Sequence, residues 1–84
     1  MVDKLSAVRY FCESKNWVTD DLINEDFTWS EGFIIICSSK RIVVEIDIHD
    51  IFHIQILEKD SQAVKEYSYN TIAQIKQALT WIVR

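Results

Sequence analysis

Two histidines, two cysteines and a set of closely spaced carboxylates are the residues of this 84-residue chain best equipped for chemistry. His49, Asp50 and His53 come nearest to a metal site. On a helix, histidines four apart share a face and can bind zinc. Here the flanking residues read as strand, turn and strand, where that spacing does not by itself make the side chains converge. No cysteine lies nearby to complete a tetrad. Solvated turn and strand residues are the better reading, and neither a metal nor an organic cofactor is expected.

Nucleophilic catalysis is not encoded either. A reactive thiolate needs an electropositive setting and a base within hydrogen-bond reach, whereas Cys12 and Cys37 sit inside apolar patterns with no local cation. Glu45 and Asp47 share a strand face about 7 Å apart, an arrangement that usually serves solvation. One glycine cannot build a phosphate-binding loop. A non-enzymatic role is therefore expected.

Charge distribution says more than any motif. Between Asn16 and Ser39 there is no lysine or arginine, yet Asp20, Asp21, Glu25, Asp26 and Glu31 all fall there. These five carboxylates sit in a chain of net charge −4, so the remainder carries +1. They are interleaved with Trp17, Leu22, Ile23, Phe27 and Trp29. Aromatic residues among acids can supply anchors within a field that attracts a basic partner. The bland alternative is that these apolar residues tie a solvated loop to the core. Direct nucleic-acid binding is disfavoured, because it needs a basic stripe and the nine Lys and Arg are scattered.

The elements that must position these residues follow from periodicity. A first helix is predicted from Asp3 to Lys15, with Leu5, Val8 and Cys12 on one face, Phe11 on its flank, and Tyr10 pointing away. Asp3 can cap its start, and Asn16 is a reasonable stop. The stretch from Trp17 to Glu31 reads as irregular, with one helical turn near Asp20 to Asn24. A short strand at Phe27 to Trp29 and a turn at Ser30, Glu31 and Gly32 follow. Strands are then predicted at Phe33–Ser38, Arg41–Ile48, Ile51–Glu58 and Ala63–Tyr67, the last at a sheet edge. Ile42, Val44, Ile46 and Ile48 alternate with Val43, Glu45, Asp47 and His49. A final helix begins near Asn70 or Thr71, where Thr71-x-x-Gln74 has capping-box spacing. Ile72, Ile75, Leu79 and Ile82 form its core stripe. Trp81 falls on the opposite side and should be exposed.

The expected fold is one α+β domain of two layers: an N-terminal helix, an antiparallel sheet of four to five strands, and a C-terminal helix. Both helices should cover one sheet face. The 49% hydrophobic and 26% charged residues are those of a globular chain. The longest apolar run, Phe33 to Cys37, is far short of the roughly 20 residues a membrane span requires. Asp3, Lys4, Arg9 and Glu13 interrupt any leader-like stretch. Free thiols in a reducing cytoplasm account for the two cysteines. Thirteen isoleucines against four leucines, one glycine and no proline suit an AT-rich bacterial or phage genome.

Small size, absent catalytic equipment and an acidic-aromatic segment are shared by many inhibitors, immunity proteins and phage-encoded antagonists. That resemblance is one of style and carries no motif. The reading it supports is a protein-binding module, an inhibitor that occludes a basic surface of another protein. The contact residues it names are Asp20, Asp21, Glu25, Asp26, Glu31, Trp17 and Trp29, with Trp81 as a separate anchor. Two other readings stay open. One is a homo-oligomer pairing through the open sheet face or an edge strand, suggested by the two-sided apolar run at Phe33 to Cys37 and by Val43. The other is an acidic mimic of nucleic acid.

Overall fold

The computed structural model describes residues 4–21, 31–59 and 63–83. Its elements are α1 (Lys4–Ser14), β1 (Val18–Asp21), β2 (Glu31–Ile36), β3 (Lys40–Ile46), β4 (Phe52–Glu58), β5 (Val64–Tyr69) and α2 (Ile72–Ile82). The strands form one five-stranded sheet in the order β1-β2-β3-β4-β5, every neighbouring pair antiparallel. This is the expected α+β architecture, a meander with a helix at each end.

The helices form where apolar spacing and end signals agree. In α1, Val8 and Cys12 are fully buried, with Leu5 and Phe11 packed against the core beside them. The helix stops because Asn16 takes the left-handed conformation, at φ 62°, which asparagine tolerates better than most residues. The N–H groups of Asn16 and Trp17 then return to the carbonyls of Glu13 and Cys12, at 3.0 and 3.2 Å. In α2 the capping box is complete. The Gln74 N–H donates to Thr71 Oγ1 at 3.2 Å, and the Thr71 N–H donates to Gln74 Oε1 at 3.3 Å.

Both helices lie on the sheet face that carries Phe33 and Ile35 of β2, Ile42 and Val44 of β3, and Phe52, Ile54 and Ile56 of β4. With Val8, Cys12, Ile75 and Leu79 these form one buried cluster. Each such aliphatic or aromatic side chain stabilises the fold by roughly 1.5–3 kcal/mol when fully buried. Cys12 is held inside this cluster, and burial pushes its thiol up to about 12. Cys37 is only half-buried, and both cysteines are free.

Several expectations are corrected. Residues 18–21 are a strand and not irregular chain, so Asp20 and Asp21 belong to β1 and to no helical turn. Val18 and Thr19 are β-branched, and β2 supplies the hydrogen-bonding partner; four residues are too few for alternation to be visible. Glu31 and Gly32 are not a turn. They open β2, Gly32 opposite Glu45, and no described glycine has a positive φ. The strand expected at Phe27–Trp29 lies outside the described residues, as does the Asp3 cap.

β3 ends at Ile46, two residues early, and Ile48 is 70% exposed where an inward side chain was expected. The cause is Asp47, whose carboxylate accepts the N–H groups of His49 and Ile51 at 2.8 and 3.1 Å. Asp50 takes φ 61°, so the side-chain bond and the left-handed residue bend the chain before alternation can continue.

Candidate functional site: the open face of the sheet

With both helices on one face, the register decides what the other face presents. Cross-strand partners point the same way, so three rows run across the sheet. The first is Val18, Ile36, Arg41, Leu57 and Val64, one residue from each strand. The second is Asp20, Ile34, Val43, Gln55 and Glu66, and the third is Gly32, Glu45, His53 and Ser68.

The first row is the unusual one. Val18 is 63% exposed, Ile36 45%, Leu57 39% and Val64 48%. Four aliphatic side chains therefore form a solvent-facing stripe across all five strands, interrupted only by the exposed Arg41 at its centre. Single exposed aliphatics are ordinary on a protein surface, whereas contiguous ones mark interaction sites. In the second row Ile34 is half-buried and Val43 buried, extending the apolar ground toward the middle of the sheet.

Acids frame this ground. Asp20 is exposed on β1, Glu66 is exposed on β5 and accepts from Gln55 Nε2 at 3.1 Å, and Glu45 lies in the third row. Farther along, His53 joins Asp47 to Ser68: Nε2 lies 2.8 Å from Asp47 Oδ2 and Nδ1 lies 3.1 Å from Ser68 Oγ. The hydrogen bond from His53, then those of the Ile51 and His49 amides, draw the Asp47 carboxyl down from 3.8 to about 2. Asp, His and Ser in hydrogen-bonded series is also the composition of an acyl-transfer triad. Here the series spans an open sheet face, and it lies outside both the cavity beside Arg41 and the cleft beside Trp81. What it does structurally is fasten the β3–β4 turn to β4 and β5.

Beyond the first row, toward the β2–β3 turn, lies a cavity of about 340 Å³. Ile36 and Leu57 supply apolar lining, Lys40, Arg41 and Lys59 three cations, and Glu58 one carboxylate. Glu58 Oε1 lies 3.9 Å from Lys65 Nζ, and Lys40 Nζ donates to the Ile82 carbonyl. Among the described residues, no ion pair engages Arg41 or Lys59.

The residues singled out from sequence do not form one site. Asp20 is on the open face, while Asp21 points to the helix side and meets Arg9 Nη1 at 2.6 Å. That contact, above the Coulombic pull of the same carboxylate and of Glu13, holds the Arg9 guanidinium more firmly protonated. Trp17 is half-buried and sits edge-on to Phe11, ring centres 5.9 Å apart at 88°, so it ties the start of β1 to the core. Glu31 begins β2. Glu25, Asp26 and Trp29 lie outside the described residues. Trp81 is 65% exposed, as its helix position predicts, and borders a shallow 270 Å³ cleft with Tyr69, Gln74, Gln77 and Ala78. Among the described residues no cluster of three or more His, Cys, Asp or Glu is placed to hold a metal, so His49, Asp50 and His53 do not form one. No described helix is long and apolar enough to cross a membrane.

Val18, Ile36, Arg41, Leu57 and Val64 were not named as a group by sequence. Each looks ordinary in its own strand, and only strand parity combined with register aligns them. The available signal was that Ile36 alternates with the inward Phe33 and Ile35. No family model, curated protein or solved structure matches the chain.

Proposed function

We propose that this chain is a non-enzymatic protein-binding module that docks the open face of its sheet on another protein and acts by occluding that protein's surface. The observation carrying the reading is the exposed aliphatic row Val18, Ile36, Leu57 and Val64. A docked partner removes this row from water, at roughly 25 cal/mol for each Å² of apolar surface covered. The acids around it and the net charge of −4 favour a partner with basic residues at its rim. Inhibition by steric block is the mechanism such a surface provides without catalytic groups. The unbridged cysteines suit work in a reducing cytoplasm.

A tagged capture from nuclease-treated lysate tests the reading, run in parallel with Ile36→Thr/Leu57→Thr/Val64→Thr and Trp81→Ala variants. The expected result is one dominant protein held by the wild type and by Trp81→Ala, and lost from the triple variant. Retention by the triple variant would remove the open face from the account.

A second reading rests on β5, an edge strand whose residues Val64 to Ser68 are all exposed. Such an edge offers unpaired backbone groups to a second copy. A monomer by light scattering at tens of micromolar (about tenfold above a micromolar dissociation constant) would exclude it.

A further inference from the structure

Resting on the docking face proposed above, the position of Arg41 specifies part of the partner. Arg41 stands between Ile36 and Leu57, its cross-strand neighbours, in the middle of an otherwise aliphatic row. Any surface that covers the row also removes this guanidinium from water. A charge buried without a counter-ion is strongly unfavourable, and among the described residues no carboxylate pairs with Arg41. With no such carboxylate among the described residues, the partner is the source we assign for the counter-ion. A second copy stacked row on row does not supply it, because a twofold axis along β3 or along the row sets Arg41 against its own mate.

The adjoining 340 Å³ cavity adds a seat beside that charge. Its apolar lining comes from Ile36 and Leu57, and its positive rim from Arg41 and Lys59; among the described residues the one lining carboxylate is Glu58, which faces Lys65. A ligand matching both features has an aliphatic body and a carboxylate one or two bonds away from it. We propose that the partner inserts such a segment, an aliphatic side chain beside a carboxylate, with the carboxylate forked on Arg41 and the side chain between Ile36 and Leu57. Guanidinium meets carboxylate through two parallel hydrogen bonds, so the contact fixes orientation as well as charge.

The minimal form of that segment is a capped amino acid. Amide-detected NMR titration would use N-acetyl-leucine, which keeps the carboxylate, and N-acetyl-leucinamide, which lacks it. Wild type is compared with Arg41→Gln, whose spectrum also reports that it is folded. The expected result is saturable shifts at Ile36, Arg41, Leu57 and Lys59 with N-acetyl-leucine, at a dissociation constant on the order of millimolar. Binding should weaken by about tenfold or more for the amide and for Arg41→Gln, the loss of one charge-assisted contact. Equal binding of acid and amide, shifts located elsewhere, or no saturation by roughly 50 mM would overturn the proposal. If capture depends on the aliphatic row while N-acetyl-leucine fails to bind, the carboxylate inference alone falls. If capture does not depend on that row, the docking face falls and this partner assignment with it.

Discussion

Replacing the open-face aliphatics should cost little stability, and the structure sets how little. In the variant Ile36→Thr/Leu57→Thr/Val64→Thr the three native side chains are 45%, 39% and 48% exposed. About half the burial energy of each is therefore already forgone, leaving roughly 1 kcal/mol per side chain. Threonine keeps the β-branch of Ile36 and Val64 and introduces one at Leu57, so strand preference is retained, and its hydroxyl meets water. Because the threonine Cβ and methyl retain about half of what each native side chain still contributes, the triple variant should lose about 1–2 kcal/mol in all. Leu57 and Val64 are cross-strand partners, so their effects should not add fully. Ile54→Thr is the contrast, since Ile54 is 0% exposed between the sheet and the helices. That single change loses transfer energy, opens a cavity and buries a hydroxyl, and should cost about 2–5 kcal/mol. Urea unfolding followed by tryptophan fluorescence measures both on one scale, because the midpoint shift at constant slope reports the difference. A triple variant as damaged as Ile54→Thr would mean that this face is packed as core, and the docking argument would lose its basis.

Two further predictions concern the framework of the site. The Asp47 carboxyl titrates lower in the folded chain than its ordinary value, about 2 against 3.8. It therefore contributes stability fully present above pH 4 and lost as pH falls toward 2. Asp47→Asn should flatten the dependence of the urea midpoint on pH across that window, and an unchanged slope would show that the His53 contact does not couple to folding. Thr71→Ala removes the hydroxyl that accepts the Gln74 N–H. It should cost about 1 kcal/mol, read by thermal unfolding, whereas no change would mean that Gln74 alone closes the helix start.

The helices and the inward faces of the long strands were legible because their signals are local and repeated. Val8 and Cys12, Ile75 and Leu79, and Ile42 with Val44 each declare a face within their own segment, and Thr71 with Gln74 marks a helix start in four letters. β1 was hidden because Val18 to Asp21 is too short to show a period and depends on β2 for its hydrogen bonds. The end of β3 was misplaced because Asp47 looked like the next outward residue of an alternating strand, while its carboxylate was making the turn. The acidic segment was legible as composition but not as a surface: Asp20 and Asp21 are consecutive on a strand, so they face opposite ways, and one is taken up by Arg9. The aliphatic row was the least legible feature, since it exists only across strands and no segment contains more than one of its members.

Methyl-detected NMR of an Ile, Leu and Val labelled sample, with the captured partner added, reads which face of the molecule a partner covers. With the partner on the open face, the methyl signals of Val18, Ile36, Leu57 and Val64 shift or broaden on binding, while those of the buried Ile75 and Leu79 stay in place. Perturbation confined to the Trp81 indole and to the α2 and β5 residues lining its cleft would contradict that placement, and would move the contact surface to the C-terminal helix.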